Sequence, residues 1–288
     1  RQMPDSLSEI EPTLRFGSFA LIFVLMATLE LIEPRRKLSG SKPHRWLTNV
    51  SILGVSTLTA RLVGSFSGPL VAVGMASIAA TNGWGLFNVI DLPIVIEIIA
   101  AIALLDGAIW FQHVVSHKVP FFWAMHKVHH ADRDIDLTTA LRFHPFEILI
   151  SMIYKAVIVV VLGPAVWAVI LFEIILNGSA MFNHANVKLP SWLDRNLRRI
   201  IVTPDMHRVH HSVHRDEHDT NYGFCLSIWD RLFRTYTATP RDGHETMAIG
   251  LKDYPSSAPD KFIWSMVLPI RHFGRSLQSS RESASDKA

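Results

Sequence analysis

Histidine is the residue type in this chain best suited to metal binding or catalysis, and most of the histidines lie in one part of the sequence. The chain has 288 residues and 15 histidines, 12 of which fall between His113 and His218. Two hexapeptides that begin at Met125 and Met206 differ only by Lys for Arg, and each contains the pattern His-x-x-His-His. In a helix, histidines at positions i, i+3 and i+4 share a face and direct several ring nitrogens into one volume. His113 and His117 have the same relation one turn apart.

Repeated imidazoles on helix faces indicate a metal site. Such side chains would repel one another if protonated and would lose solvation if buried without a metal. One tetrahedral metal needs three or four ligands. The three clusters supply eight histidines, and His144 and His184 add two more, so we predict a site for two metals. Asp106 lies seven residues before His113 on the same helix stripe, where we expect its carboxylate to orient an imidazole.

The identity of the metal follows less directly from the residues. Imidazole suits Zn, Cu, Fe and Ni alike. A hydrolytic zinc site normally includes a carboxylate base, as in the HExxH motif, and this chain has no such motif. Two irons held by neutral imidazoles fit O₂ activation better.

The other five histidines are predicted to have no role in the site. His214 and His218 are flanked by Arg215, Asp216, Glu217 and Asp219, which predicts a solvated charged loop. His44, His244 and His272 stand alone and are interpreted as surface or ordinary packed residues.

Composition excludes several classes of protein. Hydrophobic residues make up 49% of the chain and charged residues only 18%, which excludes disorder for its bulk. The one cysteine, Cys225, excludes an internal disulfide framework and a cysteine-held Fe–S cluster. A net charge of +3 is too small to indicate nucleic acid as a partner.

Long apolar runs predict the elements that position the histidines. They cover residues 16–32, 47–80, 92–110 and 146–181, and the last is broken at Gly163-Pro164. Runs of this length are typical of membrane helices, although a buried bundle in a soluble protein is the alternative. Arg35, Arg36 and Lys37 follow the first run, and the positive-inside bias places them in the cytoplasm. If each apolar run crosses the membrane in turn, and the broken run 146–181 returns to the side it left, every clustered histidine lies on the cytoplasmic face.

The predicted fold is therefore all-α. It is a multi-pass membrane bundle of about four to five apolar helical segments, with a cytoplasmic helical cap that holds a histidine-rich dimetal site. We expect anchor helices in residues 1–90, a catalytic domain in 91–240 and a tail in 241–288.

The order of these motifs resembles that of a known superfamily. His113-x₃-His117, His126-x₂-His129-His130 and His207-x₂-His210-His211 are similar to the motifs of the fatty acid hydroxylase/sterol desaturase superfamily, which are integral-membrane di-iron oxygenases. The resemblance runs from about Asp106 to Tyr236. It includes Leu-Arg-Phe-His-Pro-Phe-Glu at 141–147, Asn-His at 183–184, Asn-Tyr-Gly-Phe at 221–224 and Trp-Asp-Arg-Leu-Phe at 229–233.

The resemblance implies two irons, which zinc can replace in purified protein, and O₂ as co-substrate. Such enzymes use two electrons to hydroxylate or desaturate an unactivated C–H bond of a lipid. Asp106 and Asp230 would orient the ligands. Some members lack a histidine at the position of His144 and use a second one near His184, where this chain has Ala180. His144 therefore either completes the site or supports another ligand. The implied metal ligands are His113, His117, His126, His129, His130, His144, His184, His207, His210 and His211.

The expected partners are a lipid from the bilayer and a separate electron donor, a ferredoxin or a b-type cytochrome with its reductase. The lipid could be a sterol, a fatty acyl lipid or an alkylglycerol lipid, and the membrane is the bacterial inner membrane or the endoplasmic reticulum. Aromatic residues are interpreted equally as a substrate entrance or an interfacial belt: Trp110, Phe111, Phe121, Phe122 and Trp123. Basic residues could form a docking face for the donor or simply follow the positive-inside bias: Lys118, Lys127, Arg133, Arg198, Arg199 and Arg208.

The residues alone leave two functions that compete with a lipid oxygenase. The first is a zinc-dependent membrane hydrolase that acts on lipid headgroups. The second is a metal transporter or store, which we disfavour because the histidines sit at helix ends rather than at the middle of the membrane.

Overall fold

The computed structural model describes the backbone of residues 5–67 and 72–285, and the side chains of 10–64 and 72–273. Within those ranges the fold is all-α, without β-strands, as predicted. Two 3₁₀ helices cover Leu137–Leu141 and Ala258–Asp260. The α-helices are α1 (Asp5–Ile32), α2 (Lys42–Ser67), α3 (Ala72–Asn82), α4 (Leu86–Val89), α5 (Ile94–Lys118), α6 (Pro120–His130), α7 (Pro145–Leu162), α8 (Val166–His184), α9 (Ser191–Leu197), α10 (Pro204–His210), α11 (Arg215–His218), α12 (Ile228–Leu232) and α13 (Phe262–Ser285).

Five helices are long and apolar enough to cross a membrane, at the upper end of the predicted four to five. They are parts or all of α1, α2, α5, α7 and α8, namely Ile10–Ile32, Lys42–Gly64, Ile94–Lys118, Pro145–Leu162 and Val166–His184. The apolar run 47–80 is divided between α2 and α3, and residues 68–71 lie outside the described part. Since α3 has only 11 residues, its rise of about 16 Å is too short for a bilayer.

The apolar core forms where α3, α5, α7 and α8 meet. Leu105 of α5, Val159 of α7 and Phe172 of α8 are buried together there. The break at Gly163 is a left-handed turn with φ of 58°, which ends α7 and reverses the chain into α8. A Cβ at this position would collide with the carbonyl oxygen of Trp84, so the close approach requires glycine. The hairpin of α7 and α8 begins directly after His144 and ends at His184, as predicted.

The short helices α6 and α9–α12 form a cap over one end of the long helices. Polar contacts attach it to α2: the buried guanidinium of Arg45 lies 2.7 Å from both Asp132 and Asp136. Arg142, also buried, donates to the carbonyls of Val128 and Pro259. These bonds fix the connection between α6 and α7.

The C-terminal region contacts this cap. Ser212 forms an isolated bridge with Ile249, and α13 packs against α6 and α2. Leu268 is buried with Val128 of α6. The limits proposed for the three domains stay a prediction.

Candidate metal centre

Nine of the predicted ligands converge in two adjacent, buried groups. Helix α5 contributes its last turns, α6 and α10 contribute the two His-x-x-His-His motifs, and α8 contributes its final residue. The first group holds five histidines, all buried: His113, His117, His126, His130 and His210. The second holds four, also buried: His129, His184, His207 and His211. Within each group, one ring nitrogen from every residue lies within 4.8 Å of those from the others.

Each His-x-x-His-His motif divides its histidines between the two groups. In α6, His126 and His130 turn to the first group and His129 to the second. At α10 the first group receives His210, and the second receives His207 and His211. Two helices therefore hold both groups together.

Backbone carbonyls set the tautomer of three of these imidazoles. The Nδ1 atoms of His113, His184 and His210 lie 2.7 Å from the carbonyl oxygens of Tyr222, Ala180 and Thr220 respectively. A carbonyl can only accept, so Nδ1 carries the proton and the Nε2 lone pair faces the group.

The Nε2 atoms approach one another more closely than neutral lone pairs favour. His113 Nε2 lies 3.1 Å from His126 Nε2, and His184 Nε2 lies 3.1 Å from His129 Nε2 and 3.0 Å from His207 Nε2. Two nitrogens bound to one metal at about 2.1 Å are about 3.0 Å apart at a right angle and about 3.4 Å apart at the tetrahedral angle. Further buried ring nitrogens in the described part of the chain have no hydrogen-bond partner: both of His117 and His211, Nδ1 of His129 and His207, and Nε2 of His130 and His210. A neutral imidazole has one lone pair, so each of these histidines can offer one nitrogen to a metal. The residues fit two metal ions.

Burial keeps the cap histidines in the neutral form that binds metals. Desolvation lowers the pKa of His126 to about 3. Burial, followed by the proximity of other histidines, lowers the pKa values of His129, His130, His207 and His211 well below their usual range. At neutral pH no proton must leave before a metal binds.

Glu147 orients an imidazole, a role that sequence reasoning missed. Its Oε1 lies 2.6 Å from Nδ1 of His126. Asp219 lies farther from a ring: its Oδ1 is 3.5 Å from Nδ1 of His117, without a hydrogen bond between them. Carboxylates in the position of Glu147 hold a ligand ring and raise its basicity. The sequence offered a signal for Glu147, since it ends the motif 141–147 that carried the resemblance.

Asp106 has a different role from the one we expected. Its carboxylate accepts hydrogen bonds from the backbone N–H groups of Cys225 and Leu226 and from the indole of Trp229, each at 3.0 Å, and it anchors a loop instead of an imidazole. Helical spacing predicted which side of α5 carries Asp106, but it could not show that a loop distant in sequence packs against that side.

Asp230 acts on the site indirectly. It accepts from the N–H groups of Tyr222 and Gly223 at 2.9 and 2.8 Å, and from Trp110 at 3.0 Å. The carbonyl of Tyr222 in turn holds His113.

His144 does not join either histidine group. It caps the start of α7, where Nδ1 accepts from the N–H of Phe146 at 3.3 Å and Nε2 lies 3.3 Å from the carbonyl of Met266. His144 thus makes a helix-capping contact, and its ligation of a metal stays a prediction.

The prediction of a solvated loop at His218 was wrong. His218 is buried and stacks on Trp123 with ring centroids 5.2 Å apart, and it lies 5.4 Å from His117. Arg215 and Asp216 are exposed, but the short helix α11 turns the next two residues inward. With His117 and Asp219, His218 forms a small third group of possible ligands.

The aromatic residues considered for a substrate entrance do not form one continuous surface, and neither do the basic residues considered for donor docking. Trp110 is buried and stacks on Phe233, whereas Phe111 and Phe122 line a small cavity that also contacts Glu147. Phe121 packs on Phe273, and Trp123 lies beside His218. Among the basic residues, Lys127 and Arg208 are buried, so these two cannot belong to a docking face.

A cavity of about 280 Å³ reaches the first histidine group from the side of the long helices. His113, His126 and Glu147 line one end of it. Apolar side chains form much of its wall: Phe19, Leu53, Ile109, Leu141, Phe143, Met152, Leu176 and Phe224.

Comparison with known proteins agrees with this arrangement. The model of the fatty acid hydroxylase family matches residues 98–235, which include all nine converging histidines. The similarity to the fatty acid hydroxylase family thus covers a little under half of the chain, and it covers the part that holds the histidine groups.

The curated relatives are lipid-modifying enzymes by name. Human alkylglycerol monooxygenase is 34% identical over 137 residues, which are 46% of this chain and 28% of that protein. Ornithine lipid hydroxylase OlsE of Rhizobium tropici is 25% identical over 54% of this chain and 46% of its own length. A cholesterol 25-hydroxylase-like protein of Danio rerio is 27% identical over 50% of this chain and 57% of its own length.

The chain thus spans between 28% and 57% of the length of these relatives. No solved structure matches it.

Proposed function

We propose that this protein is a membrane-bound, O₂-dependent di-iron oxygenase that hydroxylates an unactivated C–H bond of a lipid. The observation that carries the proposal is the pair of adjacent all-histidine groups, the first of which lies at one end of a largely apolar cavity between candidate membrane helices. The five-histidine group would hold one iron and the four-histidine group the other. His144 is left out of this ligand set because of its capping contacts.

The residues of this chain prepare the site in three ways. Carbonyl oxygens and Glu147 hold protons on Nδ1, so that Nε2 is available as a ligand. Leu141, Phe143 and Phe224 line the cavity and exclude water from the place where the C–H bond would lie. Asp230 fixes the loop that orients His113.

Bound iron would supply the two-electron activation of O₂ that attack on a C–H bond requires. The overall reaction balances as R–H + O₂ + 2 e⁻ + 2 H⁺ giving R–OH and H₂O. We propose that the electrons come from a separate protein, a ferredoxin or a b-type cytochrome.

We further propose that the lipid enters from the bilayer between α2 and α7. A groove of about 520 Å³ lies between these helices. It shares Leu53, Ser56, Ile148 and Met152 with the cavity, so an acyl chain in the groove would lead towards the histidines. The cap would face the cytoplasm.

Hydroxylation is favoured over the competing functions. The names of the relatives describe monooxygenases or hydroxylases, which insert oxygen. Neither of the two histidine groups includes a carboxylate among its possible ligands, and the Glu147 carboxylate beside the first group is already engaged by His126. The groups lie at helix ends, away from the mid-membrane position of transporter sites.

Metal analysis and O₂ uptake test the proposal. Protein prepared with iron and without added zinc should contain two irons and consume O₂ when an electron donor and lipid extract are present. The oxidised lipid should gain about 16 mass units, the mass of one oxygen. Stoichiometric zinc with no O₂ uptake from any donor would exclude an oxygenase.

A further inference from the structure

The cavity has polar groups at the end opposite the histidines. Glu147, Ser151 and Lys155 of α7 recur every four residues along its wall. At 1.5 Å per residue, Lys155 lies about 12 Å along the helix from Glu147, which contacts His126. The cavity therefore extends about two helical turns from the first histidine group towards the middle of α7.

Lys155 belongs to a chain of alternating charges. Its ammonium donates to Glu173 of α8, which also lies 2.6 Å from Arg15 of α1. Arg15 pairs in turn with Glu11 at 2.9 Å. Two positive and two negative charges balance, so the deep end of the cavity carries no net charge from this chain of residues.

This balance of charges determines which kind of ligand the Lys155 end of the cavity can bind. A lysine ammonium has three N–H donors, and Glu173 takes one of them. The Lys155 side chain is 19% exposed and lines the cavity, as does Asn177 of α8. Donors without excess positive charge suit a neutral oxygen acceptor better than a carboxylate or phosphate.

An ion pair that only stabilises the bundle would not need to line the cavity. Ionisable residues inside membrane helices are costly and commonly mark a functional pathway. Here one of them shares a wall with the ligand histidines.

We propose that Lys155 and Asn177 bind a neutral oxygen group of the lipid substrate, such as a hydroxyl or carbonyl, and so place a carbon about 12 Å from that group beside the histidines. This inference rests on the proposed lipid oxygenase function. It makes the two side chains positioning residues that choose which carbon is oxidised.

The first experiment measures binding without turnover. Metal-loaded protein is mixed with hexadecan-1-ol or hexadecane in the absence of an electron donor, and the retained ligand is counted by native mass spectrometry. Wild-type protein should retain the alcohol about tenfold better, as expected for one additional hydrogen bond. Lys155→Met should remove much of this preference for the alcohol and leave retention of the alkane unchanged.

Matched variants separate binding from structure. Asn177→Leu removes a donor without touching the charge chain and should also weaken retention of the alcohol. Lys155→Arg keeps a cationic donor and should restore it, while Lys188→Met, at an exposed cap position, should match wild type. Equal retention of the two probes by wild type, or an equal loss of both in Lys155→Met, would overturn the proposal.

A second measurement distinguishes this proposal from the proposed function. With electron donor and O₂, wild type should oxidise hexadecan-1-ol at a fixed distance from the hydroxyl, and Lys155→Met should spread the product over several carbons. Selective binding without any oxidation supports the polar subsite and contradicts the oxygenase. Oxidation with the same product position in Lys155→Met supports the oxygenase and overturns the subsite.

Discussion

At the scale of single residues, the partner of each Nδ1 atom decides how strongly the opposite Nε2 atom can bind. A carbonyl, as at His113, fixes the tautomer but adds no full charge. Glu147 at His126 adds a carboxylate, which makes the imidazole a better ligand.

Glu147→Gln should weaken metal binding at the first histidine group. The amide keeps an acceptor near His126 but removes the charge, and loss of such a partner typically lowers metal affinity about 10- to 100-fold. Iron content measured at limiting free iron would show the change. Glu33→Gln, at an exposed position, is the matched control and should retain full iron.

Single-ligand variants test the two groups separately. His129→Ala removes a nitrogen from the four-histidine group and His210→Ala one from the five-histidine group. Each should abolish lipid oxidation while the protein remains in the membrane fraction. His44→Ala changes an exposed histidine and should leave activity intact. Full oxidation by either ligand variant would refute the site assignment.

At the scale of elements, the Arg45 cluster joins a candidate membrane helix to the cap. Burial alone would raise the pKa of Asp132, but the Arg45 guanidinium lowers it to about 2. A carboxyl whose pKa is lowered by folding stabilises the folded protein at any pH above its unfolded pKa of about 3.9. This stabilisation is lost as the pH falls from there through the folded pKa of about 2.

Arg45→Met should destabilise the protein strongly. It leaves Asp132 and Asp136 buried with no Arg45 to pair with, and breaking a buried pair in this way costs about 3–5 kcal/mol. Thermal unfolding in detergent would measure the loss. Arg199→Met removes an exposed arginine and should shift the midpoint little, so equal shifts in both variants would contradict the role of the cluster.

The sequence predicts helices and their motifs better than it predicts contacts between them. Helical spacing placed the histidines of α6 and α10 on shared faces, but the division into five and four depends on how the two helices oppose each other. Asp106 was assigned from its own helix, whereas its partners lie about 120 residues away. His218 was obscured by exposed charged neighbours, because a pattern of charge does not show which way a one-turn helix faces.

At the scale of the whole molecule, the long helices define two ends that should lie on opposite sides of the bilayer. Asp91 precedes α5 and Arg199 lies in the cap, and both are exposed. Since α5 connects the two ends and Cys225 is buried, single introduced cysteines can report the topology.

Asp91→Cys and Arg199→Cys should react with an impermeant maleimide from opposite sides. We expect Arg199→Cys to be labelled only in inverted vesicles, where the cytoplasmic face is outward, and Asp91→Cys only in right-side-out vesicles. Both should react after detergent is added, which controls for accessibility. Labelling of both from the same side would contradict a membrane-spanning α5.

Because the two histidine groups share α6 and α10, we expect two metal ions to bind cooperatively. An ion that orders His126 and His130 also fixes His129 on the same helix, and α10 carries the same constraint through His207 and His210. The second ion then meets ligands whose conformational entropy has already been lost, so it binds more tightly than the first. Protein with a single ion should be scarce during titration, and partial metal supply should yield a mixture of empty and fully loaded molecules.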